Sequence, residues 1–164
     1  MIYLDHNATT PLAPEALEAM LPFLKEGFGN PSSAHRLGQQ ARRAVEDARG
    51  RVASLIGCDP DEIVFTSGGS ESNALALFGK AHGRLESGKQ YRVLVSRVEH
   101  DSINEAVGVL RRRGFEIGFV GVDAAGRVDL DELRAKLTRD TALVSIQAAN
   151  NEVGTLQPVR EIAA

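Results

Sequence analysis

The sequence predicts an α/β fold with a mostly parallel sheet flanked by helices, on three observations. Short β-branched or aromatic runs alternate with helical periodicity along the whole chain, the signature of βαβ units. The central runs are apolar at consecutive positions, as strands covered by helices on both faces are. The composition, 43% apolar and 25% charged, is that of a compact globular domain, far from the regime of disordered chains.

Taken in order, Ile2 to Leu4 is a weak strand candidate. Pro14 to about Leu24 reads as a helix whose first turn tolerates Pro14 and which Pro22 should kink or end. Ala41, Ala44, Val45, Ala48, Val52 and Leu55 recur at three- and four-residue spacing and mark a helix with a core-facing stripe. Glu62 to Thr66 reads as a strand, and a helix follows from the glycine pair Gly68-Gly69. Residues 86–90 read as a surface connection into the strand Tyr91 to Ser96. A second striped helix, on Ile103, Ala106, Val107 and Leu110, ends in Arg111-Arg112-Arg113, a solvated basic end that suits the helix dipole. Glu116 to Val120 is the next strand. Leu130, Leu133 and Leu137 mark a helix opened by Asp129 with Glu132 at capping-box spacing, and Thr141 to Ile146 is the last strand. Pro158 to Ala164 resembles the opening turns of a further helix, an unfinished unit that suggests a fragment or a subunit completed by another chain.

Charge and cysteine content narrow the function. With 22 acidic against 19 basic side chains the net charge is −3, and no basic tract for nucleic acid stands out. The single cysteine, Cys58, excludes an internal disulfide framework and a paired-cysteine zinc site. The N-terminus has neither a basic start nor an apolar core, and no run of about 18 apolar residues occurs, so a cytoplasmic protein without a membrane segment is expected.

Three segments can carry chemistry. In Thr66-Ser67-Gly68-Gly69-Ser70-Glu71-Ser72-Asn73 a strand candidate runs through two glycines into a helix, where backbone N–H groups, the helix dipole and the Ser70 hydroxyl could hold an anion such as phosphate. A tight turn with an N-cap serine explains the same residues, and the segment fits neither a Walker loop nor a dinucleotide fingerprint. His100 follows the strand Tyr91 to Ser96, at the edge where ligands of open α/β sheets bind; it could exchange protons or stack on a flat ring, or simply fill a polar position. Asp101 and Ser102 read as caps of the next helix. Gln147 to Gly154 brings two amides, Asn150 and Asn151, and a carboxylate to the same edge, or forms an Asn-rich turn closed by Gly154. Together these describe a site for a phosphorylated aromatic cofactor.

The chain resembles the cysteine desulfurases, pyridoxal-phosphate enzymes of the class V aminotransferase group with the type I fold. The likeness lies in five ordered blocks: Leu4 to Pro11, Gly29-Asn30-Pro31-Ser32-Ser33-Ala34-His35, Thr66 to Asn73, Glu99-His100, and Asn150 to Thr155. It implies the type I large-domain fold, here incomplete. It also implies Gly69 and Ser70 on the cofactor phosphate, His100 stacked on the pyridine ring and transferring protons, and Asn151 on the ring hydroxyl and substrate carboxylate. Gly69-Ser70 stands where the family more often has Ala-Thr, a swap that keeps a small residue and a hydroxyl. L-cysteine as substrate, a homodimer, and a sulfur acceptor or iron-sulfur scaffold protein as partner follow from the same resemblance. The family's Schiff-base lysine, ring-nitrogen aspartate and persulfide cysteine lie downstream of Asn151, so this chain alone is expected to be inactive. A selenocysteine lyase or aminotransferase of the same class stays open, as does a non-catalytic truncated paralogue acting as a partner subunit.

Overall fold

The computed structural model describes residues 2–85 and 91–163; the connection expected at 86–90 lies outside them. The chain divides into two compact units, Met1–Phe65 and Thr66–Ala164.

The first unit carries α1 (Pro14–Lys25) and α2 (Arg36–Ile56), followed by a 3-10 turn at Pro60–Glu62. Pro22 does not end α1 at once. Three more residues complete the helix, and the Pro22 carbonyl accepts from both Glu26 N and Gly27 N to close it. His35 caps α2 through its ring, which accepts from Gly38 N at 3.4 Å, and Gly57 ends it in the left-handed conformation at φ 73°. The loop before α2 packs so closely on its first turn that a Cβ on Gly38 would lie 2.3 Å from the Ser33 carbonyl oxygen, which explains glycine there.

Two expectations for this unit fail. The stripe on α2 is not a buried face, because Ala48, Val52 and Leu55 are exposed among the described residues and Ala53 is the helix's buried apolar residue. Periodicity marks the face a helix can bury, not the presence of its cover. Neither Ile2 to Leu4 nor Glu62 to Thr66 is a strand. Glu62 closes the 3-10 turn, its carboxylate accepting from Asp59 N at 2.9 Å. Ile63 is extended, but its carbonyl accepts from the Arg49 guanidinium instead of a neighbouring strand. Arg49 also stacks over the Phe65 ring at 5.1 Å.

The second unit is a three-stranded parallel sheet of β1 (Arg92–Ser96), β2 (Glu116–Val120) and β3 (Thr141–Ser145), in the order β2-β1-β3. Helices α3 (Gly69–Leu85), α4 (Asp101–Arg112), α5 (Leu130–Lys136) and α6 (Val159–Ala163) complete it. Alternate residues of β1 divide the core as a pleated strand requires. Val93 and Val95 pack with Leu77, Ile103, Val107 and Leu110 of α3 and α4, while Leu94 packs on the other face with Val120, Val128 and Leu133. The stripe predicted for α4 is buried throughout, and its basic end falls in the last turn and C-cap.

The cap of α5 is half of what the spacing suggested. Asp129 accepts from Asp131 N and Glu132 N at 2.9 Å, but the Glu132 carboxylate turns to Gly121 N and to Lys136 Nζ. Those two donors, Lys136 foremost, hold its pKa below the usual carboxylate range.

Candidate functional site

β1 lies between β2 and β3, so the chain leaves β1 on one side and returns on the other. The carboxyl ends of β1 and β3 flank the resulting crevice, the place where open α/β sheets bind ligands. Both connections leaving these strands are tied by buried polar groups. Glu99, 9% exposed, accepts through Oε1 from the Ser96 hydroxyl at 2.6 Å and from Gln147 N at 3.0 Å. The Val98 carbonyl accepts from the amides of both Gln147 and Asn150, the latter at 3.2 Å. Segments 98–100 and 147–151, separate in sequence, are therefore held side by side.

His100 caps α4, its Nδ1 accepting from Ser102 N at 3.1 Å. This corrects the reading of Asp101 and Ser102 as the caps: both lie inside the first turn. Ser70 stands in the first turn of α3. The two side chains line one hollow of about 500 Å³, whose remaining wall combines Ala74, Phe78, Ala106 and Val109 with Asp101, Ser102 and Glu105. Asn151 is exposed at the tip after β3 and is not among the residues lining that hollow; its Nδ2 donates to Glu152 Oε1 at 3.0 Å. Its neighbour Asn150 is consumed by structure, accepting from Glu152 N and Val153 N at 2.9 Å while its amide holds Val98. The turn closes at Gly154, φ 73°, so the Asn-rich turn is present, and Asn150 serves that turn and Val98 instead of pairing with Asn151 for a ligand.

The residues before α3 form an open mouth. The first amide to find a helical acceptor is that of Ser72, on the Gly68 carbonyl at 3.1 Å, which leaves the N–H groups of Gly69, Ser70 and Glu71 without one in the helix. Thr66 braces the entry, its hydroxyl 2.6 Å from that of Ser72. The Glu71 carboxylate folds back onto Ser67 N at 2.6 Å, and that hydrogen bond lowers its pKa. Gly68 and Gly69 are not in the left-handed region, so the turn itself does not demand glycine, contrary to the expectation of a tight glycine turn. A Cβ on either would meet open space. The Ser70 hydroxyl and the imidazole on one hollow, beside a helix start whose first amides have no acceptor within the helix, suit a flat ring with a phosphate tail.

Sequence reasoning missed several supporting groups. Asn73 Nδ2 donates to Ser102 Oγ at 2.9 Å, joining α3 to the cap of α4. Glu99 and Gln147 appeared only inside motifs, with no role. Helical spacing puts Asn73 one turn beyond Ser70, but no local signal names a partner 29 residues away.

The fold is that of a class of enzymes built around a cofactor. The family model for class-V aminotransferases matches residues 2–164, and the chain belongs to that family. Class-V aminotransferases are pyridoxal-phosphate enzymes, so the cofactor expected from the sequence is the family's. Among curated relatives, "Cysteine desulfurase IscS" of Dictyoglomus turgidum is 49% identical over 162 residues, covering 99% of this chain and 41% of that protein. "Cysteine desulfurase, mitosomal" of Encephalitozoon cuniculi is 48% identical over 98% of this chain and 38% of its own length. A solved "NIFS-like protein" matches with a TM-score of 0.92 at 41% identity, over 96% of this chain and 43% of that one. A structure described as "SspA in complex with cysteine" gives 0.92 at 38% identity, over 98% and 46%. The chain thus spans less than half the length of these relatives. Among the described residues no helix is long and apolar enough to cross a membrane, and no cluster of side chains could hold a metal ion.

Proposed function

We propose that residues 1–164 are the N-terminal part of a single pyridoxal-phosphate-binding large domain, and that the protein is a cysteine desulfurase. It would move sulfur from L-cysteine to an enzyme cysteine and release alanine. One observation carries the reading: Ser70 and His100 line the same hollow, in a chain 49% identical to a named cysteine desulfurase.

In this reading the N–H groups of Gly69 and Ser70, with the Ser70 hydroxyl, hold the cofactor phosphate at the positive end of α3. His100 lies against the ring and exchanges protons through its imidazole. Asn151, freed for ligands because Asn150 carries the turn, hydrogen-bonds the ring hydroxyl and the substrate carboxylate. The cofactor supplies the electron sink that no side chain here provides.

The 164 residues alone would be inactive. Lys80 lies ten residues beyond Ser70, about 15 Å along the same helix at 1.5 Å per residue. Lys136 is engaged by Glu132 and the Phe119 carbonyl, so neither offers an amine to the hollow. The working protein would be a cytoplasmic homodimer that passes sulfur to an acceptor or iron-sulfur scaffold protein.

The test uses protein expressed from its complete reading frame, with pyridoxal phosphate, L-cysteine and a thiol reductant. It should show near-visible cofactor absorbance and release alanine and sulfide together, and Ser70→Ala and His100→Ala should each lose absorbance. Wild-type absorbance in both variants would overturn the site, and no alanine from L-cysteine would overturn the activity.

A further inference from the structure

One hydrogen-bond chain crosses from α3 to the imidazole, and its polarity can be read end to end. The Ser102 backbone N–H, 3.1 Å from His100 Nδ1, can only donate, which favours a lone pair on Nδ1. The Asn73 amide nitrogen also only donates, and its bond to Ser102 Oγ at 2.9 Å uses an oxygen lone pair. The Ser102 hydroxyl proton is then free to point along the 2.9 Å line to the same Nδ1. A neutral imidazole carries one N–H, which is therefore on Nε2. No group among the described residues is bonded to Nε2.

We propose that Asn73 and Ser102 are positioning residues that lock His100 in the Nε2–H tautomer, so that the one ring nitrogen left for a molecule in the hollow arrives carrying a proton. The proposal deepens the reading of His100 as a proton-transfer group and rests on it for its catalytic meaning. The tautomer itself does not depend on the cofactor. Asn73 lies on the helix whose first turn presents Gly69 and Ser70, so the element that offers amides to an anion also orders the imidazole. An aspartate at 73 would reverse the hydroxyl, because a carboxylate accepts the Ser102 proton and turns the hydroxyl lone pairs towards Nδ1, leaving the Ser102 N–H alone to favour the Nε2–H form.

Protein expressed from its complete reading frame, labelled with 15N-histidine, gives the test, with the His100 signals identified by their loss in His100→Asn. In the cofactor-free wild type, Nδ1 should show the shift of an unprotonated nitrogen and Nε2 that of a protonated one. The separation of the two shifts should narrow in Asn73→Asp and in Ser102→Ala, and return in Ser102→Thr, which restores the hydroxyl. A proton on Nδ1 in the wild type, or wild-type separation in both Asn73→Asp and Ser102→Ala, would overturn the proposal. Near-visible absorbance with added pyridoxal phosphate is read on the same samples. The expected tautomer without absorbance supports the hydrogen-bond chain and overturns the cofactor reading instead.

Discussion

His100 does two separable jobs, and one pair of substitutions divides them. As N-cap of α4 its Nδ1 satisfies the Ser102 amide, which would otherwise face the helix end without a partner. Alanine removes that acceptor at a cost of about 1 kcal/mol, roughly a five-fold fall in the folded-to-unfolded ratio. Asparagine is among the preferred N-cap residues and restores an acceptor oxygen at the same place, so His100→Asn should recover most of that loss. Neither variant has a ring. Urea unfolding of the cofactor-free protein should therefore rank wild type close to His100→Asn and both above His100→Ala, while near-visible absorbance with pyridoxal phosphate falls equally in the two variants. Equal stability of the two variants would refute the capping role. Wild-type absorbance in His100→Asn would refute the stacked ring, because its scaffold is intact.

Glu99→Ala should cost more, because it strands two donors at once, the fully buried Ser96 hydroxyl and the Gln147 amide. At about 1–3 kcal/mol for each stranded donor, the loss in urea unfolding should be about 2–6 kcal/mol, and a loss below about 1 kcal/mol would sink the account. Glu132 supplies a pH signature, since its pKa is held down in the folded chain by Lys136 and Gly121. A depressed folded pKa gives stability that is fully present above the unfolded value of about 4.3 and is lost as pH falls through the lower folded one. The stability gap between wild type and Glu132→Gln should be full at neutral pH and shrink below about 4.3; a gap of constant size across that range would rule the linkage out.

What was legible in the sequence was what burial on both sides dictates. β1 lies between two apolar clusters, the α4 stripe packs into one of them, and runs such as Val93-Leu94-Val95 have no other stable place. Glu62 to Thr66 has the same local character, but a strand is defined by its neighbour, and Val64 and Phe65 are 65% and 49% exposed with no ladder beside them. Glycine roles were misassigned for a related reason. Gly68 and Gly69 stand out in the sequence yet need no special backbone, whereas Gly29 is required because a Cβ would lie 2.2 Å from the Leu37 carbonyl oxygen. Such a clash belongs to the folded arrangement. Histidine caps escaped notice because imidazole is not among the common N-cap groups, although both His35 and His100 serve.

The site residues sit on an exposed rim, and what holds that rim lies directly behind it. Ser96 is fully buried and Glu99 nearly so, and their hydrogen bonds join the end of β1 to the residues following β3. His100 follows Glu99 in the chain, and Asn151 follows Asn150, whose side chain is spent on Val98 and on its own turn. At both places a structural residue precedes the candidate functional one. The order lost by fixing these loops is therefore charged to folding and not to binding, so that in the proposed function the imidazole and the amide would meet a ligand already placed. Adjacent residues of like chemistry need not share a role. Asn150 has its acceptor and donor committed inside the protein, so of the two amides Asn151 is the one with capacity for a ligand.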